Sequence, residues 1–563
     1  IDVDVKILWN ENGNNNSIVA MANNASVYYD RKAVMNYRGS TSRSMIKRSY
    51  AFSTGKKDLK SNGSVEKGKV DLFGLPEEKD WVLYAAYNDK SMMRNKLALD
   101  LYRQMGYYAS NTRFVELFVN DVYQGVYILL EKYEENENRI VITEETTGMQ
   151  PQDIGYIIKF DKTDGSAATW VRTPALLGGM ANCGNDGGCG IASDAQGWEL
   201  VYPEVSSNND PRKNYIRDWL VQYEIALKNA TAQQDWDNLF ETYIDIPSFV
   251  DFMIINEFSR NTDGYRASMW FVKDAGSKLK CTPIWDFEMG FGNDDKYPSF
   301  YGSANRTCPS TTNIRPYATD IWQYNTNECE PYYPLPFWYK KLMENQCFKD
   351  IFRTRWEELR TNALSTTNIE NELETNKTAL LSGALNREMD KWSWTVRNAC
   401  PCESSYAYCP WMITHWEANY QGVGNPEGKT TNFNDEYNLL KAWINSRLVW
   451  MDSQIMSDDF GAILTEEQAR ECGKIPEIIS GNQVIQAENN YISINANNTN
   501  IEIKSNETIQ EVLIYDTRGI LLLQKNKINA AECSFNLNYL NQLLIVKVLT
   551  ENSVLSKIVL VKE

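Results

Sequence analysis

Two carboxylates flank a phenylalanine in TPIWDFEMGFGN, residues 282–293, after a strand-like stretch and ahead of a glycine-punctuated loop. If KLKCTPIW runs as a strand, Asp286 and Glu288 share one face and Phe287 turns to the core, because side chains alternate along a strand. Two acids on one face repel. Each is costly to desolvate unless a cation, a base or a substrate group compensates. The pair therefore reads as a site for a metal or a phosphate. Upstream, NEFSRNTDGYRASMWFVKD puts a third acid, Asp263, in a turn between a helix and a strand.

These acids need elements to hold them. Residues 1–150 read as mixed strand and helix: WVLYAAY (81–87) as a strand, SMMRNKLALDLYRQMG (91–106) as a helix ending on Gly106, and VELFVNDVYQGVYILLEKYE as a hairpin turning at Asn120-Asp121. Residues 162–198, around GGMANCGNDGGCG, lack periodicity and read as a long surface insertion; no GxxxxGKS or GxGxxG pattern marks a phosphate loop there. Helical spacing then dominates: RKNYIRDWLVQYEIALKNA, PSFVDFMIINEFS, 334–362, 366–397 and NDEYNLLKAWINSRLVWMDSQIM. Two strand-like segments, SMWFVKD and KLKCTPIW, interrupt it, joined by the turn Ala275-Gly276-Ser277. Beyond about residue 475 short alternating strands replace helices, as expected of a small all-β sandwich.

Composition narrows the function. A net charge of -17 argues against a nucleic-acid groove or an anionic membrane as the main partner, leaving room for a local basic pocket. No apolar run is long enough to span a bilayer, and IDVDVKILW lacks a signal-peptide layout, so the expectation is no transmembrane segment and, for an exported chain, a signal already removed. Eleven cysteines favour disulfides and an oxidising compartment; Cys183 with Cys189, and Cys400, Cys402 and Cys409, are suggestive spacings, and an all-thiolate metal site is the alternative. The single histidine, His415, excludes a two-histidine zinc helix and reads as a surface or packed residue.

Helix, acid in a turn, hairpin and second acid at a strand end is a phosphotransferase layout, in which one Asp accepts the acceptor proton and a later Asp holds the metal on the nucleotide phosphates. The chain resembles the CotH-type kinase family, related at the fold level to protein kinases, and in particular its secreted Bacteroidetes branch. The matching stretches are YRGSTSRSMIKRSY (37–50), YNDKSMMRNKLALDLYRQMG (87–106), RFVELFVNDVYQGVYILLEK (113–132), GYIIKFDK (155–162), NTDGYRAS (261–268) and PIWDFEMGFGN (283–293). The resemblance implies an α+β, protein-kinase-related domain over 1–475 with a mixed N-terminal lobe (about 1–160), an insertion (about 162–205) and a helical C-terminal lobe (about 206–475). It implies Asp263 as the catalytic acid, Asp286 as a metal ligand, and Mg²⁺ or Mn²⁺ with ATP. Arg38 and Lys47 would lie near the nucleotide, with Lys159 a phosphate-binding lysine and Glu131 its carboxylate partner. Where kinases carry an Asn five residues after the catalytic Asp, this chain has Ser268, a neutral and shorter ligand. Affinity for a second metal is expected to fall or to pass to Glu288, itself in place of the expected Asp or Asn.

The tail, 476–563, with EVLIYDTRGILLLQ and LLIVKVLTENSVLSKIVLVKE, resembles a Bacteroidetes C-terminal sorting domain, although Gln542-Leu543-Leu544 replaces its Gly-x-Tyr. The resemblance implies a secreted or surface-attached, extracytoplasmic protein that transfers phosphate to a protein or glycan acceptor. Two other readings stay open: a kinase-like binding or assembly protein that has lost its chemistry, and a carbohydrate-active or carbohydrate-binding protein. The third draws on 17 Trp and 32 Tyr with paired acids, although strand neighbours roughly 6.5–7 Å apart at Cα fit an acid–base pair only loosely. Arg94 in DKSMMRNK is either a solvated helix charge or a buried carboxylate partner.

Overall fold

The computed structural model describes all residues except 10–26, 40–41, 43–44, 62, 163–168, 172–195, 294–318, 326–335, 394–431, 458, 474–491, 498–499, 517–520, 537–541, 551–553 and 562–563. His415, Cys183, Cys189, Cys400, Cys402 and Cys409 fall outside the described residues. The chain divides into two units, Ile1–Lys474 and Ile475–Glu563.

The first unit opens with a six-stranded antiparallel sheet: β1 (Asp2–Leu8), β2 (Val27–Tyr37), β3 (Tyr50–Thr54), β4 (Asp80–Tyr84), β5 (Thr112–Val119) and β6 (Val122–Glu131), ordered β1-β2-β3-β4-β6-β5. Its core packs Phe52, Leu72, Trp81, Tyr127 and Leu129. Asn120 and Asp121 both take positive φ, 48° and 62°, the conformation that a two-residue turn needs to match strand twist. Helix α1 (Arg94–Gln104) follows β4 and stops before Gly106.

A second antiparallel sheet joins distant segments: β7 (Tyr156–Lys162), β8 (Trp170–Val171), β9 (Gln196–Tyr202), β10 (Met269–Lys273) and β11 (Leu279–Cys281), ordered β11-β10-β7-β9-β8. Part of the stretch expected as an insertion, 196–202, is thus strand β9. Its Trp198 and Leu200 are buried on one face while Glu199 lies on the other, an alternation too short to stand out beside the glycine-rich sequence before it.

Helices α2 (Pro211–Asn229), α3 (Gln233–Thr242), α4 (Ile246–Ser259), α5 (Trp338–Leu342), α6 (Gln346–Thr361), α7 (Thr366–Leu381), α8 (Ala384–Lys391), α9 (Phe433–Ile455) and α10 (Glu466–Gly473) make up the rest of the unit's described helical part. Asp210, Asp245, Asn345, Ser365 and Asn432 cap α2, α4, α6, α7 and α9 with side-chain oxygens. Helix α4 is apolar nearly all round and correspondingly buried, so it is the axis of the helical part. A disulfide joins Cys347 of α6 to Cys472 of α10. No described helix is long and apolar enough to cross a membrane.

Among the described residues the second unit is one antiparallel sheet, where a two-sheet sandwich was expected, of β12 (Ile492–Asn497), β13 (Asn500–Asp516), β14 (Leu521–Asn536), β15 (Gln542–Thr550) and β16 (Val554–Val561). The long β13 pairs with β14 along one side, and on the other with β12 in its first half and β15 in its second. Register breaks between Lys504 and Ile509 mark where it bends. Ile501, Ile503, Val512, Ile514, Val546 and Val548 form its core.

Candidate active site

The loop carrying Asp263 starts where α4 ends on Arg260, at φ 48°, and runs into β10. Gly264 leaves no choice of residue: a Cβ there would lie 1.9 Å from Asn256 Oδ1. The loop carrying Asp286 starts where β11 ends. The strand expected through Trp285 stops at Cys281, because Pro283 has no N–H to continue the ladder. Asp286 takes φ 68°, so Asp286 and Glu288 meet through a left-handed turn and not through strand pleating. Phe287 is buried as expected, and its N–H donates to Asn95 Oδ1 of α1 at 3.0 Å. The Tyr133 hydroxyl donates to the Ile284 carbonyl, and Phe291 N–H to Ser259 O. These bonds pin the turn from three sides.

Asp263, Ser268, Asp286 and Glu288 all line one cleft of about 1230 Å³. Ser268 Oγ donates to Asp286 Oδ2 at 3.4 Å. Arg266 Nε and Nη2 donate to Asp263 Oδ1 at 3.0 and 2.7 Å. Asn261, which the sequence reading missed, couples the two loops: its Nδ2 donates to the Asp286 carbonyl at 3.2 Å, and its Oδ1 accepts the Asp263 N–H at 3.3 Å. Only its position two residues before Asp263 hinted at this.

Electrostatics follow from crowding. Burial and the neighbouring Asp286 carboxylate push the Glu288 carboxyl well above the usual carboxylate range. Its Oε2 is buried and takes no hydrogen bond from a described residue. The Tyr84 hydroxyl on the same cleft is likewise buried without a partner among the described residues, and burial followed by Glu288 raises its pKa. Arg38 lies over the Trp285 ring at 5.1 Å; burial lowers its pKa, against the pull of Asp286 and Glu288. Of the four nucleotide-site candidates Arg38, Lys47, Glu131 and Lys159, Arg38 is thus the one whose charge Asp286 and Glu288 act on.

The other basic and acidic candidates are committed elsewhere. Lys47 lines the cleft but its Nζ donates to Glu388 Oε1 and Val126 O, both at 2.7 Å. Glu388 Oε2 accepts the Val126 N–H at 2.6 Å, which ties α8 to β6. Glu131 and Lys159 do not pair with each other. Glu131 Oε2 accepts from Asn111 N and Nδ2 at 2.8 and 2.9 Å, whereas Lys159 meets Glu199 at 2.6 Å and Asp161 at 3.5 Å. Arg94 is a buried carboxylate partner, bridging Asp89 at 2.6 Å and Glu436 at 2.9 Å while its Nε reaches the Phe291 carbonyl at 3.4 Å.

Among the described residues, no group of three or more His, Cys, Asp and Glu side chains gathers to hold a metal. Asp286, Glu288 and the Ser268 hydroxyl offer oxygen donors only, and Glu288 Oε2 is an orphaned acceptor. That set fits a hard ion such as Mg²⁺, which uses one or two carboxylates and takes its other ligands from phosphate and water.

The fold and site define a mixed α+β protein with an acid-lined cleft in its larger unit. Residues 35–451 match the CotH kinase protein family, and the chain belongs to that family. It is therefore a CotH-like, kinase-related protein, in line with the resemblance read from its motifs. Residues 480–560 match a domain of unknown function (DUF8694). The inner spore coat protein H of Bacillus subtilis (strain 168) is 21% identical over 212 residues, 38% of this chain and 50% of that protein. The chain thus spans about half the length of the curated relative it matches.

Proposed function

We propose that the cleft is a kinase site that transfers the terminal phosphate of Mg-ATP to a hydroxyl acceptor. The carrying observation is the convergence of Asp263, Ser268, Asp286 and Glu288 on one cleft with Arg38 beside them. Asp286, Glu288 and Ser268 would hold Mg²⁺, which when bound neutralises charge on the nucleotide phosphates. Asp263, oriented by Arg266, accepts the acceptor hydroxyl proton as that oxygen bonds to the terminal phosphorus and the bond to the ADP oxygen breaks. Arg38 takes up charge developing on the transferred group. Lys47 shapes the cleft wall through Glu388. On this reading the first sheet with α1 forms an N-terminal lobe, and the helices packed about α4 a C-terminal one.

A binding-only reading has one observation in its favour: Arg266 Nε and Nη2 both donate to Asp263 Oδ1, so that oxygen is already engaged within the protein. Incubation with γ-labelled ATP separates the two. Label transferred or released by the wild type, and lost in Asp263→Asn and Asp286→Asn, supports phosphotransfer; Mg-ATP bound without any turnover supports the binding reading.

We also read the protein as extracytoplasmic, of the secreted Bacteroidetes branch, with its second unit a sorting-type module for surface attachment. The Cys347–Cys472 disulfide supports the compartment. Cell fractionation of a chain lacking 476–563 tests it: loss of surface label is expected, and unchanged attachment contradicts the role of the tail.

A further inference from the structure

The second sheet presents one face to the helical core; its other face carries Ile157 and Val272, packed in a small cluster with Tyr133 and Ile140, and beside them lines the cleft. Phe160, Trp198 and Phe271 fill the core side against Trp338. On the cleft side four residues stand in register across four strands: Trp270 opposite Lys159, Lys159 opposite Glu199, and Glu199 opposite Trp170. Directly opposed residues of antiparallel strands share a face, so this is a single row, with the Lys159–Glu199 ion pair at 2.6 Å between two half-buried tryptophans. Three strand spacings put the tryptophans about 14 Å apart. Trp270, Lys159 and Glu199 line the same cleft as the acids. Ser268 lies two residues from Trp270, just before β10, and leads from the row to Asp286.

The charges in this row cancel locally. Lys159 faces Asp161 as well as Glu199, so its charge is taken up within the row. It offers half-buried tryptophans at its ends, Trp270 backed by Tyr133, and donors and acceptors between them. A neutral ligand with apolar faces and peripheral hydroxyls matches that pattern. A pyranose has both, since its C–H faces pack on aromatic rings and its hydroxyls bond to charged side chains.

We propose that Trp270, Lys159, Glu199 and Trp170 form a binding platform for a neutral oligosaccharide, and that this platform is the acceptor subsite of the cleft. Binding stands on the row alone; the acceptor role rests on the phosphotransfer reading above. Ring packing on Trp270 brings a sugar hydroxyl toward Ser268 and the acid cluster.

The test titrates the full chain with six-unit β-1,4-glucan, α-1,4-glucan, β-1,4-mannan and β-1,4-N-acetylglucosamine, read by tryptophan fluorescence and calorimetry. At least one is expected to bind at about millimolar Kd or tighter, with affinity falling at least about tenfold in Trp170→Ala and in Trp270→Ala. Trp270 also meets Tyr133 in a T-shaped contact at 5.2 Å, so Lys159→Gln/Glu199→Gln, which keeps the shape of the row, provides a second weakened variant. Binding is expected to persist under saturating Mg-ATP. No binding of any of the four, binding unaltered in all three variants, or displacement by Mg-ATP overturns the platform. Mg-ATP titrated alone reports the nucleotide reading separately. Oligosaccharide binding without any Mg-ATP binding supports the platform and removes only its acceptor role.

Discussion

Replacing Asn261 by alanine removes two hydrogen bonds at once, one to the Asp286 carbonyl and one from the Asp263 N–H. Asn261 is 1% exposed, so water does not readily replace either bond. A typical buried hydrogen bond is worth about 1 kcal/mol net, and a buried group left unpaired costs about 1–3 kcal/mol. At 3.2 and 3.3 Å both bonds are long, which places the expected loss at the lower end, about 2–3 kcal/mol in total. The functional loss is expected to be larger than the stability loss, because a displacement of about 1 Å in a reacting group costs on the order of 100-fold. Urea unfolding of the wild type and Asn261→Ala gives the first number, and Mg-ATP affinity with label turnover gives the second. Asn261→Asp, which keeps the oxygen that accepts from Asp263 N–H but sets a buried carboxylate against the Asp286 carbonyl, is expected to lose at least as much stability as Asn261→Ala. If Asn261→Ala unfolds within about 0.5 kcal/mol of the wild type and binds Mg-ATP equally well, the two loops are not coupled through this residue.

Gly264→Ala is expected to destabilise by about 1–3 kcal/mol, because its methyl group lands on Asn256 Oδ1; an unchanged urea midpoint would contradict the packing of this loop. Lys47→Met removes the buried cation facing Glu388 Oε1, while Oε2 keeps the Val126 N–H, and is expected to cost about 3–5 kcal/mol; adding Glu388→Met recovers part of it, and no recovery in the double variant refutes the pairing. Acid stability follows Asp100. Burial pushes its carboxyl up, but Lys96 and Arg103 more than offset this, so its pKa lies below the ordinary 3.8. Its stabilising contribution is therefore complete above about 4 and is lost as pH falls through the depressed value. Asp100→Asn is expected to flatten the acid limb of a stability–pH curve, and an unaltered limb contradicts the assignment.

What was legible in the sequence was local. The Asn120-Asp121 turn, the helix before Gly106 and the apolar run of α4 each carry their signal within a few residues. The acids of the cleft were legible as residue types, and their convergence was expected, but for a different reason. A strand through Trp285 was the simplest way to align Asp286 with Glu288, whereas a left-handed Asp286 after Pro283 does it instead. Pairings distant in sequence left no local trace: Lys47 and Glu388 are 341 residues apart, and nothing in YRGSTSRSMIKRSY names its partner. Lys159 read as a phosphate ligand because its motif gave no sign of Glu199, which the register of β9 alone brings opposite it. Asn261 was passed over because an asparagine beside a catalytic-type aspartate has many turn-forming uses.

The most direct test of the central claim is calorimetric titration of ATP into the full chain, with and without Mg²⁺, for the wild type and Asp286→Asn. The account predicts Mg²⁺-dependent binding by the wild type and loss of that dependence in the variant. Nucleotide binding indifferent to both Mg²⁺ and Asp286, or no binding at all, would contradict it.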